Sequence, residues 1–348
     1  MGHGLQDWAV LAVFGVVYLG MFLGGLPTLK LDRTGVALLG AIAVIALTGQ
    51  TVEQSALAID LPTIVLLFAF MVVSAQMRLG GFYTAVTQRV GGMPLSRKGL
   101  LAALIVVAAA LSAVFSNDVI CLAMTPVVAR LCIRRGLQPL PFLLGLACAA
   151  NIGSAATLIG NPQNMLIGSV MKLHFADYVR HALPPVALSL GLLWLWLAHG
   201  PSAGPGAGPG AGPGAGAGAG AGASSGVSGQ AAATPSGDAP ATHDEPAFDA
   251  FQTAKGLLVA GALLLIFLFT DWPRDVAALV GAAVLLLSRR LHSSDVMGFV
   301  DWQLLLLFMG LFVVNHALQA TGLAAQAVVW LGAQGVHLPA AGLPASQV

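Results

Sequence analysis

Polar residues along this chain are gathered into short clusters between long apolar runs. Uncharged, mostly apolar runs recur at 8–27, 34–50, 61–77, 99–117, 140–171, 182–199, 254–270, 276–288 and 302–335. A helix needs about 20 such residues to span the hydrocarbon of a bilayer, so the pattern predicts membrane helices, with 34–50 and 276–288 the shortest. The fold class expected is an all-α polytopic membrane protein. The first run lacks a basic segment ahead of it and a small-residue cleavage signature, so it reads as a retained helix and not a removable signal peptide.

One apolar run is interrupted by "NIGSAATLIGNPQN", residues 151–164. Irregular backbone at membrane depth is tolerated only where it is buried in protein or lines a watery cavity. Gly153, Gly160 and Pro162 are expected to unwind the helix there. Unwinding would expose carbonyls for a small cation and, where the helix restarts, N–H groups for an anion. Asn151, Asn161 and Asn164 add donors and acceptors. A proline kink whose amides merely join neighbouring helices is the alternative.

Composition agrees with the pattern. Of 348 residues only 8% are charged and 57% are hydrophobic, with a mean hydropathy of +0.86, whereas soluble domains carry about 25% charged residues. A net charge of +1 points to no nucleic-acid or polyanion partner. Cys121, Cys132 and Cys148 show no metal-ligand spacing and read as small buried residues. Lys and Arg set the orientation. With the N-terminus outside, only Lys172, Arg180 and Arg274 fall outside, and the other basic residues fall on the cytoplasmic side, as the positive-inside rule expects. This holds only if 99–132 enters and leaves on one side, as a re-entrant hairpin with its tip at "FSNDV", residues 115–119.

The hairpin tip carries the second chemical signal. Of the fourteen acidic residues, all but Asp118 fall at helix ends, in loops, or in or beside a central linker. A carboxylate at membrane depth suggests an ion or proton pathway. If the descending arm is helical, Ser112 and Ser116 lie one turn apart and both hydroxyls converge with Asn117 at the tip. Alternatively Asp118 is a structural N-cap of a helix over 119–132.

From residue 200 the composition shifts to "AGPGAGPGAGPGAGAGAGAGA", which predicts a disordered Gly/Ala/Pro-rich cytoplasmic linker over 200–252. The linker separates two copies of one unit. Sliding the chain by 241 positions places Arg33 on Arg274, Gly40 on Gly281, Asp60 on Asp301, Gly81 on Gly322 and Gly91 on Gly332 without a gap. The expected domains are a first repeat over 1–199, with five crossings plus the hairpin, and a truncated second repeat over 253–348. With an odd number of crossings the second copy is inverted, a plan associated with secondary transporters. The same offset puts the partner of Ser116 and Asn117 beyond Val348, so an incomplete product is expected. No HExxH, carboxylate pair or GxxxxGK[ST] segment is present, so neither an enzyme nor an ATP-driven pump is expected.

The "SND" tip, "TLIGNPQN" and "DWQLLLLFMGLF" resemble the ion transporter superfamily of citrate-type and divalent-anion sodium symporters, arsenite permeases and sodium/proton antiporters. Within it, the chain is most similar to the bacterial anion-permease branch. The resemblance implies an inverted-repeat secondary transporter of the inner membrane that couples a small inorganic or organic anion to sodium or protons. It implies ion ligands at Ser112, Ser116 and Asn117 and near Gly153 or Gly160, to which the carboxylate at membrane depth adds Asp118, and substrate contacts at Ser116, Asn117, Thr157, Asn161, Pro162 and Asn164. No cofactor is implied beyond a coupling sodium ion. Membrane lipid and a second copy of the chain, as a homodimer, complete the expected partners. Asp118 departs from the dicarboxylate symporters, which have Thr there, and opposes dicarboxylate transport unless protonated or paired. A sodium/proton antiporter or arsenite-type permease using Asp118 is the alternative.

Overall fold

A computed structural model describes residues 4–25, 31–199, 248–288, 291–323, 325 and 326. The linker segment 200–247 and the end of the second repeat from 327 lie outside the described residues. Within them the chain forms helices α1 (Leu5–Leu23), α2 (Arg33–Thr48), α3 (Val52–Ala56), α4 (Leu61–Leu79), α5 (Phe82–Gly92), α6 (Arg97–Ser112) and α7 (Asn117–Arg134). There follow α8 (Pro139–Ser154), α9 (Pro162–Val170), α10 (Phe175–His199), α11 (Ala250–Phe269), α12 (Arg274–Leu286), α13 (Ser293–Met297) and α14 (Trp302–Ala320). Among the described residues α1, α4, α10, α11 and α14 are long and apolar enough to cross a membrane, and α2 and α8 are apolar but shorter. The protein is an all-α polytopic membrane protein.

Two departures from the apolar pattern have plain causes. The run at 99–117 does not stay helical, because α6 stops at Ser112 and α7 begins at Asn117. Helix α5, "FYTAVTQRVGG", is absent from the apolar runs because its polar residues interrupt any hydrophobic stretch.

The repeat is visible in helix boundaries. Helices α2, α3 and α4 begin at Arg33, Val52 and Leu61, and α12, α13 and α14 at Arg274, Ser293 and Trp302, each 241 positions on. The matched residues also do matched work. Asp60 Oδ1 accepts from Thr63 N at the start of α4, and Asp301 Oδ1 from Leu304 N at the start of α14, each holding an otherwise orphaned first-turn N–H. Gly81 and Gly322 follow those two helices with φ of +66° and +70°, a left-handed conformation that glycine adopts without a Cβ penalty.

The described residues pack as two compact units whose limits differ from the repeats, one of those up to 64 and from 301 on, the other of those between 65 and 300. In the first, α1, α2 and α14 pack around Val10, Val17, Val36, Val44, Val313 and Val314. Small residues let these backbones approach, as is usual between membrane helices. A Cβ on Gly40 would overlap Val17, and one on Gly310 would lie 2.9 Å from the Ala37 carbonyl carbon and oxygen. Tyr18 Oη donates to Asn315 Oδ1 at 3.0 Å, an interhelical hydrogen bond between α1 and α14.

In the second unit α8 is central, packed against α6, α7 and α10. Gln76 of α4 and Gln252 of α11, both buried, meet through a 2.6 Å hydrogen bond. Thr253 Oγ1 and the Asp249 N–H both donate to the Gly80 carbonyl, tying the end of α4 to the start of α11.

Gly310→Val is expected to destabilise the protein by about 1–3 kcal/mol, because the added atoms meet backbone that cannot move aside. Gly15→Ala, where a Cβ meets nothing within 4 Å, is expected to be neutral or slightly stabilising. Thermal unfolding of the two variants in detergent measures the difference.

Candidate functional site

The hairpin tip and the helix break meet inside the second unit. Residues 113–116 join α6 to α7, and residues 155–161 join α8 to α9. Ser112 closes α6, and its buried Oγ donates to the Ala150 carbonyl of α8 at 2.6 Å. Asn117 opens α7, and its Nδ2 donates to Asn151 Oδ1 at 3.0 Å. Asn151 is held in turn by its Nδ2 bond to the Ala147 carbonyl. Gly153 permits this docking, since a Cβ there would overlap the Ala109 backbone of α6.

The break is a seven-residue segment and not a kink, and four side chains satisfy it from within. Ser154 Oγ donates to the Asn151 carbonyl at 2.8 Å and accepts from Asn161 Nδ2 at 3.1 Å. Thr157 Oγ1 donates to the Ala113 carbonyl at the hairpin tip and accepts from Ile159 N. Asn164 Nδ2 donates to the carbonyls of Thr157 at 2.9 Å and Ser154 at 3.4 Å. Asn161 Oδ1 caps α9 by accepting from Asn164 N at 2.8 Å. From α10, Tyr178 Oη donates to the Ala155 carbonyl. Residues 156–160 are buried throughout.

Several expected roles change with this geometry. Gly153 does not unwind α8, for it lies inside that helix and serves the crossing with α6. Pro162 starts α9 at its first position, where a missing N–H costs nothing, instead of breaking a helix. Gly160 lies in the break, where a Cβ would overlap the Ser154 carbonyl, so its part is close approach. The amide hydrogens of Asn164 and the hydroxyl of Thr157 are spent holding the break, and Asn161 is engaged at both ends of its amide. Each of these three expected substrate contacts also holds the break together.

At the tip, Ser116 is the N-cap position of α7 but its hydroxyl makes no capping bond, and it is not on the same helix as Ser112. Asp118 lies in the first turn of α7 and is exposed, whereas Asn117 is buried. The N-cap position of α7 is Ser116, so Asp118 is not the N-cap. The buried Asn117 Oδ1 has no hydrogen-bond partner among the described residues. Ser154, the hub of the break, carried a signal that sequence reasoning passed over, its position between Asn151 and Asn161 in the same polar cluster. Tyr178 carried none, since only the tertiary fold brings α10 to Ala155.

The sequence pattern of the citrate transporter family matches residues 9–345. The chain belongs to this family. As a family member it is 36% identical over 184 residues to a silicon efflux transporter of rice (Oryza sativa subsp. japonica), covering 53% of this chain and 38% of the relative. It is 30% identical over 311 residues to an uncharacterized transporter of Mycobacterium tuberculosis (strain ATCC 25618 / H37Rv), covering 84% of this chain and 65% of that protein. A 46 kDa membrane protein of Mycobacterium leprae is 27% identical over 315 residues, covering 85% and 66%. The chain thus spans from about two-fifths to two-thirds of the lengths of these relatives. Family and apolar helices together make it a multi-pass membrane protein.

If the Asn117–Asn151 bond joins hairpin to break, Asn117→Ala and Asn151→Ala are expected to be non-additive. A double-mutant cycle on unfolding free energy should give a coupling of about 0.5–1.5 kcal/mol, the ordinary net worth of such a bond. Additive losses would place the two amides in separate environments.

Proposed function

We propose that this chain is the ion-binding part of a sodium-coupled secondary transporter for a small anion, with sodium held where the hairpin tip meets the break. Citrate transporter family membership and the transporter names of the relatives support transport as the activity, in place of enzymatic catalysis. The observation that carries the ion site is the buried Asn117 Oδ1, whose amide is fixed by Asn151 while its oxygen lacks a donor. An unsatisfied buried acceptor costs about 1–3 kcal/mol, and a bound cation is one partner that removes this cost. The Ser116 hydroxyl, unspent in capping, is the next oxygen along the chain. Neutral oxygen donors suit a hard cation.

The anion is assigned to the same tip. The first-turn N–H groups of α7 receive no side-chain cap from Ser116 and carry the positive end of the helix dipole. Asp118 in that turn opposes an anion, so a bound cation lowers the cost of anion entry, which gives coupling by order of binding. The basic residues keep the orientation of N-terminus outside and linker cytoplasmic as part of this reading. A second reading follows from Asp118 being the one acidic residue between Asp60 and Asp177. There it carries a proton, and the coupling is to protons.

Sodium is expected to raise the unfolding free energy of the purified chain over choline, by about 2.7 kcal/mol at a hundredfold excess over its dissociation constant. Asn117→Ala should fold and lose this response. An undiminished sodium response in Asn117→Ala would remove the site from the tip. Asp118→Asn separates the coupling ions in proteoliposome uptake with citrate as the probe. Loss of pH dependence with sodium affinity retained supports the proton reading, and unchanged pH dependence rejects it.

A further inference from the structure

The hairpin tip has a second neighbour besides the break. Phe115, the residue before Ser116, is buried, and its ring meets two rings at the start of α5. Tyr83 meets it edge to face, with centroids 5.8 Å apart and planes at 81°, and Phe82 lies at 6.4 Å and 61°. We propose that Phe82 and Tyr83 are positioning residues of the candidate site, a seat for Phe115 that holds the hairpin tip where Ser116 and Asn117 receive the ion. The role toward the ion rests on the reading that a cation binds at the tip.

Binding groups need neighbours whose own positions are locked by packing. Here three positions of the tip are gripped in turn. Ala113 is tied to the break through Thr157, Phe115 is seated on α5, and Asn117 is tied to α8 through Asn151. Ser116 stands between the last two, so its hydroxyl is located from both sides without a capping bond of its own. Helix α5 can serve as a fixed support because its far end is anchored on α7. A Cβ at Gly91 would overlap Leu131, and Arg135 donates to the carbonyls of Gly91 and, at 2.7 Å, Met93. At its near end Gly80 and Gly81 are the whole connection to α4.

The ring of Tyr83, and not its hydroxyl, makes the seat. Tyr83 is buried and Ser74 of α4 stands beside its hydroxyl, yet neither oxygen makes a hydrogen bond of good geometry among the described residues. A buried hydroxyl without a partner adds no stability, whereas an edge-to-face pair of rings contributes beyond the area it buries. Phenylalanine at position 83 therefore keeps what the tip uses.

Hydrogen exchange of the full chain in detergent tests the seat, read by mass spectrometry on peptides covering 111–119 and, as a reference, α11. Amide exchange follows local opening. Tyr83→Leu and Phe115→Leu are each expected to speed exchange at the tip by about two- to tenfold, the worth of an aromatic pair, while α11 exchanges as before. The double variant is expected to exchange no faster than the faster single one, and Tyr83→Phe to match the wild type. Sodium is expected to slow exchange at the wild-type tip. Tyr83→Leu should need more sodium for the same protection, and Tyr83→Phe should restore the wild-type requirement. If Tyr83→Leu does not fold, Phe82→Leu at the half-buried ring stands in, with the same result expected at the tip. The seat is overturned if these leucine variants leave tip exchange unchanged, if α11 speeds up by the same factor, if the single effects add, or if Tyr83→Phe behaves as Tyr83→Leu. Wild-type exchange untouched by sodium overturns the cation reading, and with it the role toward the ion, while the variants still decide whether the seat holds the tip.

Discussion

A peptide group left without a partner in hydrocarbon costs several kcal/mol, and the placing of the seven residues between α8 and α9 depends on meeting that cost. Ser154, Thr157, Asn161 and Asn164 satisfy the break from inside, and the hairpin tip supplies the Ala113 carbonyl. Close contact between α6 and α8 at Gly153 brings the tip within reach. The break and the hairpin are thus one construction, each completing the other's hydrogen bonds. Asn117 Oδ1 is the acceptor in it that remains unsatisfied.

This construction distinguishes polar residues that build from those that are available to bind. Amide-rich segments at membrane depth invite a reading in which every Asn is a ligand. Here most of the amide hydrogens are consumed by local carbonyls, because unwinding a helix creates as many unmet backbone groups as it exposes. What is left over is small and specific, an amide oxygen and a hydroxyl at the start of α7.

The repeat shows how the same sequence devices recur in different surroundings. Asp60 and Asp301 hold equivalent helix starts, and Gly81 and Gly322 equivalent left-handed ends, although α14 packs in one compact unit and most of α4 in the other. Caps and glycine ends are local, settled within four or five residues, and so they survive duplication. Packing is not local. Gly40 and Gly310 let α1, α2 and α14 approach one another, a grouping that cuts across the two copies.

The sequence by itself determined the helical membrane class, the offset of the repeat and the presence of a tip and a break, because apolar run length, fixed spacing and clustered polar residues are local signals. It missed α5, whose mixed polarity hides its helix, and it assigned Gly153 and Pro162 to unwinding when one lies within a helix and the other begins one. Tertiary structure alone decided that Asn117 reaches Asn151 and that Thr157 and Asn164 hold the break, the first through the Ala113 carbonyl and the second through the Thr157 carbonyl. The reason is that a donor or acceptor is defined by its partner, and partners such as Ala113 for Thr157 lie 44 residues apart in the chain. Spacing can place a polar group at membrane depth. Only the packing of one helix against another settles whether that group is already satisfied.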